Sequence, residues 1–170
     1  MKLLTKSAFF VAALGLAACD RGIQFDNPTS VSGFDPSSGL SASELAASDP
    51  ASPAYFEQFV GDRIIFAVDT YTLSADARAI LDGQIGWLLD NPGYGVIVEG
   101  HADERGTREY NLALGDRRAN SVRDYMISKG INASRVKTVS YGKERPEALC
   151  SADSCYAVNR RAVTTLVASL

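Results

Sequence analysis

Asp103 and Arg118 have the types to recognise a ligand of mixed charge, and Asp69, Asn111 and Leu114 stand at related positions. Asp69 follows the apolar run Ile64-Ile65-Phe66-Ala67-Val68, and Asp103 follows Val96-Ile97-Val98 after a short polar step. Positions just beyond buried strands are where loops collect functional groups. Asn111, Leu114 and Arg118 recur at steps of three and four, so a helix would carry them in one stripe. A guanidinium grips a carboxylate with two parallel hydrogen bonds, and a carboxylate accepts from an ammonium. An aspartate, Asp103, and an arginine, Arg118, facing one cleft therefore suit a zwitterion. Two plainer arrangements compete with this. Asp103 and Arg118 could pair only with each other, as ion pairs commonly do. Alternatively, Asp69 and Asp103 could be the acid and base of a glycosidase.

Other chemistries lack their parts. His101 is the only histidine, and Cys150 and Cys155 lie far from it with no metal-ligand spacing. A hydrogen-bonded structural histidine fits better than a ligand or a base. There is no G-x-S-x-G turn and no phosphate loop, so neither cofactor nor metal is expected. A formal charge of −3 gives no electrostatic reason to expect nucleic acid.

The elements that must position these groups can be read in order. Val96, Ile97 and Val98 start a buried strand, Gly100 to Gly106 is a polar loop, and Thr107 is placed to cap the next helix with Glu109 in its first turn. That helix has a core stripe of Leu112, Gly115, Ala119, Val122 and Met126, and ends at Lys129-Gly130. Upstream, residues 63–68 read as a strand. Ser74 caps a helix with stripe Ala77, Ile80, Leu81, Ile85, Leu88 and Leu89, which Asn91-Pro92-Gly93 stops. Val136 to Tyr141 is a third strand. A loop with both distal cysteines and a short helical turn to Asn159 lead to a last strand, Arg161 to Val167. The order β-α-β-α-β-β predicts an α+β, two-layer fold with helices packed on one face of a mixed sheet.

The run GHADERGTREYN, with SYGKERP and NRRAV further on, resembles the OmpA-like peptidoglycan-binding domain family over roughly Phe59 to Val167. The resemblance implies a non-catalytic domain that binds the diaminopimelate-containing stem peptide of peptidoglycan without cleaving it. By position, Asp69 and Asp103 are similar to the aspartates that hold the ligand's ammonium and amide donors. Arg118 is similar to the arginine that holds its carboxylate, Leu114 to a contact one turn earlier, and Asn111 falls on the same motif. On this reading, removing Arg118 is expected to shift the melt little. The chain departs from the family pattern at Ala67, which is expected to change the pocket rim. Asn159-Arg160-Arg161 is expected to be mainly structural, with Arg160 or Arg161 bordering the site.

The N-terminal part reads as an export and anchoring device. Residues 1–18 are a signal peptide, with Lys2 and Lys6 ahead of an apolar run too short to span a bilayer. Leu16-Ala17-Ala18-Cys19 has the form of a lipobox, so Cys19 is the expected lipidation site and membrane anchor. Removal of residues 1–18 takes two lysines, so the charge goes from −3 to −3 − 2 = −5. Residues 19–54, rich in Ser, Pro, Ala and Asp, read as a flexible tether, and 55–170 as the head domain. With Cys19 acylated, Cys150 and Cys155 remain in a compartment that permits oxidation. They are expected to form a disulfide, with two free thiols as the alternative. Resemblance to the lipid-anchored members of the family implies an outer-membrane protein with its head in the periplasm. It also implies the Tol complex as partner, chiefly the propeller TolB, competing with peptidoglycan for an overlapping face. Asp20 after Cys19 leaves the inner membrane open. Flagellar-stator and outer-membrane-barrel relatives are the rivals, and no apolar run of spanning length favours them.

Overall fold

Local signals set the helices, and tertiary contacts decide which of their faces is buried. The computed structural model of the chain describes residues 46–168. The signal peptide 1–18, Cys19 and most of the tether therefore lie outside the described residues.

Strand β1 (Arg63–Ile65) is shorter than expected, with only Ile64 turned inward. Helix α1 (Ala75–Asp90) begins where Ser74 Oγ accepts from the Ala77 amide at 3.1 Å. Its buried face is not the whole expected stripe, since Ile80 and Leu89 are exposed while Gln84 and Trp87 are buried. The polar atoms explain the exchange, because each buried side chain has a partner waiting. Gln84 Nε2 donates to the Gly61 carbonyl at 2.7 Å, and its Oε1 accepts from Thr164 Oγ1 at 2.8 Å. Trp87 Nε1 donates to the Pro50 carbonyl at 2.7 Å. Residues 46–48 are helical and Ala47 is buried. So the last part of the stretch read as tether is held against the head.

Strand β2 (Tyr94–His101) leads to helix α2 (Arg108–Ser128), where Thr107 Oγ1 accepts from the Tyr110 amide at 3.2 Å. Beyond α2, Gly130 takes φ +106°, a conformation that favours glycine at this position. Strand β3 (Val136–Gly142), helix α3 (Asp153–Asn159) and strand β4 (Arg161–Ala168) complete the domain. The sheet order is β1-β4-β2-β3. β4 pairs antiparallel with both β1 and β2, and β2 pairs parallel with β3. Val96, Val98 and Ala162 from the sheet join Leu81, Leu88, Ala119, Val122 and Met126 from the helices in one core. This is the expected α+β arrangement with a mixed sheet.

Two glycines set how closely α2 lies on the sheet. A Cβ added at Gly100 would stand 1.9 Å from the Gly115 carbonyl oxygen, and one at Gly115 would stand 2.4 Å from Ser140 Oγ. Helix and strand therefore touch backbone to backbone. Leu112, expected in the core stripe, points out and is exposed; its carbonyl instead accepts from Ser140 Oγ at 2.7 Å. Cys150 and Cys155 are bonded, with their Cα atoms 5.8 Å apart.

Candidate ligand-binding site

Where β2 and the start of α2 meet the turn after β1, the structure leaves a cavity of about 250 Å³. Asp69, Asp103, Asn111, Leu114 and Arg118 all line it, together with Val68, Arg105, Gly106 and Tyr110. The five residues singled out from the sequence and its family resemblance thus share one concave surface. Among the described residues there is no cluster of His, Cys, Asp or Glu that could hold a metal ion.

Arg118 does more than line the cavity. It is fully buried, and its guanidinium donates to three carbonyls: Thr70 at 2.8 Å through Nε, His101 at 2.7 Å through Nη1 and Ala67 at 3.2 Å through Nη2. Ala67 and Thr70 flank the turn that presents Asp69, and His101 ends the strand before Asp103. One side chain therefore fixes both aspartate-bearing loops. Burial lowers its pKa to about 10, against the pull of the Asp103 charge, so it stays cationic at neutral pH. The melt of an Arg118 variant cannot be expected to stay near wild type. Ala67, expected to shape the rim, contributes through its carbonyl, and Val68 supplies the wall.

Asp103 does not pair with Arg118. Its carboxylate accepts from Arg105 Nη2 at 2.7 Å and Nε at 3.3 Å, from the Arg105 amide at 3.2 Å, and from Arg160 Nη1 at 3.4 Å. Burial pushes its pKa up, but these donors and the Arg105 charge together outweigh that and hold it below the usual carboxylate range. Asp69 sits at φ +54°, the one non-glycine residue with positive φ among the described residues. Aspartate tolerates that region better than most residues, and the Tyr110 hydroxyl donates to its Oδ1. Asn111 Nδ2 closes the loop by donating to the Arg105 carbonyl at 2.8 Å. The pocket therefore offers carboxylates and guanidiniums side by side.

Arg105 and Tyr110 were not singled out from sequence, although the signals were present. Tyr110 lies four residues before Leu114, on the Leu114–Arg118 stripe, and Arg105 lies two residues after Asp103, a spacing at which a side chain can fold back in a tight loop. Arg160 touches Asp103, as expected of a residue bordering the site. Arg161 is buried and pairs with Glu147 at 3.2 Å.

His101 is buried, with its ring 5.5 Å from that of Tyr141 and Nε2 3.8 Å from Glu99 Oε2. It belongs to the scaffold and does not line the cavity. Burial first, then the nearby Arg161 and Arg145 charges, lower its pKa from 6.5 to about 4. The unfolded chain therefore binds this proton more readily. The stabilisation is complete above pH 6.5 and is lost as pH falls from 6.5 toward 4, about 3 kcal/mol in all. Melts of wild type recorded between pH 7.5 and 4 should fall over that window, and His101→Phe should flatten most of the fall. Equal slopes for the two proteins would remove His101 as the cause.

Comparisons with known proteins follow the same residues. The model of the OmpA family matches residues 65–160, more than half of the 170 in the chain. A protein of Rhizobium meliloti (strain 1021) named peptidoglycan-associated lipoprotein is 49% identical over 156 residues, covering 92% of this chain and 84% of the relative. The crystal structure of the peptidoglycan-associated lipoprotein from Burkholderia pseudomallei is similar with a TM-score of 0.65 at 33% identity, over 70% of this chain and 100% of that one. The C-terminal domain of Helicobacter pylori MotB, at 18% identity and a TM-score of 0.59 over 64% of this chain and 85% of that one, shares the fold. With the matched residues spanning the whole strand, loop and helix frame around the cavity, the chain belongs to the OmpA family.

Proposed function

We propose that this protein is a non-catalytic, lipid-anchored peptidoglycan-binding protein of the outer membrane, whose head holds the uncrosslinked, diaminopimelate-containing stem peptide. The observation that carries this reading is the single cavity in which Asp69 and Asp103 face Arg105 and Arg118. A free diaminopimelate end carries an ammonium and a carboxylate, so it satisfies both signs at once. Relatives named peptidoglycan-associated lipoprotein, one of them matching 92% of the chain, support the same ligand. Asp103 cannot be the general acid of a glycosidase. A general acid needs a raised carboxyl pKa, and Arg105 holds this one low.

The test is retention of the purified head on sacculi, with the supernatant analysed for soluble fragments. Asp103→Asn keeps the shape but removes the charge, and should weaken binding at least about tenfold; Asp69→Asn should also weaken it. Wild-type retention of both variants would sink the site. Release of new muropeptides by wild type would restore the glycosidase.

The anchor at Cys19, the periplasmic head and a role in envelope integrity and cell division with TolB and the Tol complex extend this reading, on the strength of the lipobox and the family likeness. Fatty-acid labelling of wild type but not Cys19→Ser tests the anchor. Calorimetry with the propeller, with and without saturating peptidoglycan fragment, tests the partner. Fractionation of membranes decides between outer membrane and the inner-membrane retention suggested by Asp20.

A further inference from the structure

One aromatic ring links the disulfide to the ligand cavity. Cys155 lies in α3, and its partner Cys150 lies in the loop that follows β3. The neighbouring Tyr156 is half-buried, and the Arg105 guanidinium lies over its ring, 4.7 Å from the centroid. Arg105 in turn grips Asp103 through Nε and Nη2. Helix α3 has little of its own to keep it in place. It spans seven residues, and its N-cap, Ala152, makes no side-chain capping bond. A helix that short does not persist by itself in water. Its far end is tied by Asn159, which accepts from the amides of Glu147 and Ala148 and donates to Glu104 Oε1 and the Ala148 carbonyl. Its near end is tied by the disulfide.

We propose that the Cys150–Cys155 bond is a positioning element of the ligand cavity: it holds α3 so that Tyr156 braces Arg105, and Arg105 so braced fixes the Asp103 carboxylate. The plainer role, stabilising a surface loop, predicts a lower melting point on reduction and an unchanged cavity. The bracing role predicts a change in the cavity itself, well below the melting point. A cation over an aromatic face is a directional contact. Losing it frees a long side chain whose rotamers were held, and Asp103 then has a less constant partner. Tyr156 acts only through Arg105, so it is a positioning residue. The ligand part of this proposal rests on the stem-peptide reading; the chain of contacts from disulfide to Asp103 does not.

The experiment uses two readouts. One is calorimetric affinity for a synthetic stem tripeptide ending in diaminopimelate. The other is titration of the Asp103 carboxyl by ¹³C NMR without ligand. Both are recorded at a temperature where melts show every variant folded. The reduced form is made with dithiothreitol, which gives up two electrons and two protons and leaves as its cyclic disulfide, freeing both thiols. Reduction, or the double substitution Cys150→Ser and Cys155→Ser, should weaken binding about fivefold and move the Asp103 titration up toward an ordinary carboxyl. Tyr156→Leu should do the same, and Tyr156→Phe, which keeps the ring face, should do neither. Reducing Tyr156→Leu should add nothing further, since the brace is already gone. An Asp103 titration unmoved by reduction would overturn the proposal. So would a further fivefold loss when Tyr156→Leu is reduced. If oxidised wild type fails to bind the tripeptide, the stem-peptide reading falls, and the Asp103 titration alone decides the brace.

Discussion

Arg118→Ala is expected to cost the head about 2–4 kcal/mol of stability, and with it all measurable binding. The size follows from where the guanidinium ends. Truncation leaves the Thr70 and His101 carbonyls without the guanidinium donor, the latter in a buried bond, and the Ala67 carbonyl with only its contacts to Thr70. A buried acceptor such as the His101 carbonyl, left unpaired, costs far more than a surface contact. Phe66, whose ring lies 5.2 Å from the guanidinium, also loses its neighbour. Arg118→Lys separates charge from geometry. It keeps a cation, but one compact ammonium cannot reach three carbonyls spread around a planar fork. It should recover part of the stability and little of the binding, because the Asp69 turn and the end of β2 are no longer held together. Urea denaturation of the three proteins measures the first effect, and retention on sacculi the second. An Arg118→Ala midpoint matching wild type would mean that the carbonyl contacts contribute nothing.

Gly100→Ala is expected to be comparably damaging, by about 3 kcal/mol or more, although it adds only one methyl group. The obstacle is a backbone carbonyl 1.9 Å away on α2, with the Gly115 carbonyl carbon at 2.6 Å. Neither can rotate aside as a flexible side chain would. The helix must lift from the sheet, and Arg118 rides on that helix three residues past Gly115. Binding should therefore fall together with stability. Gly93→Ala is the control, since a Cβ there meets nothing within 4 Å. Thermal melts and sacculus retention of both variants check the claim. A Gly100→Ala protein that melts with the control would show that helix and strand can separate at little cost.

Much of this frame is legible in the sequence because its signals are local. Ser74 and Thr107 cap the helices expected of them, and Gly130 ends the second. The Asn111, Leu114 and Arg118 stripe reaches the cavity because helical spacing alone puts those residues on one face. What stayed hidden depends on contacts between distant segments. Leu112 and Gly115 fit one apolar stripe equally well, yet the close approach of β2 admits only the residue without a side chain. Ile80 and Leu89 look more hydrophobic than Gln84, but only Gln84 meets both Gly61 and Thr164. Arg118 looks like a ligand-binding charge, and nothing in its spacing reveals the three carbonyls it also serves.

The strand order has a consequence for how the head is made. β4, the last of the described elements, lies between β1 and β2, and pairs Val163 with Arg63. Among the described residues β1 has no other neighbour in the sheet, so its strand pairing waits for β4. Loop closure across so much chain makes that pairing slow and late. As synthesis proceeds from the N-terminus, the earlier strands and helices remain an unfinished sheet with an open edge. The described sheet can be completed only once β4 has been made, so its pairings with β1 and β2 follow synthesis of everything before it.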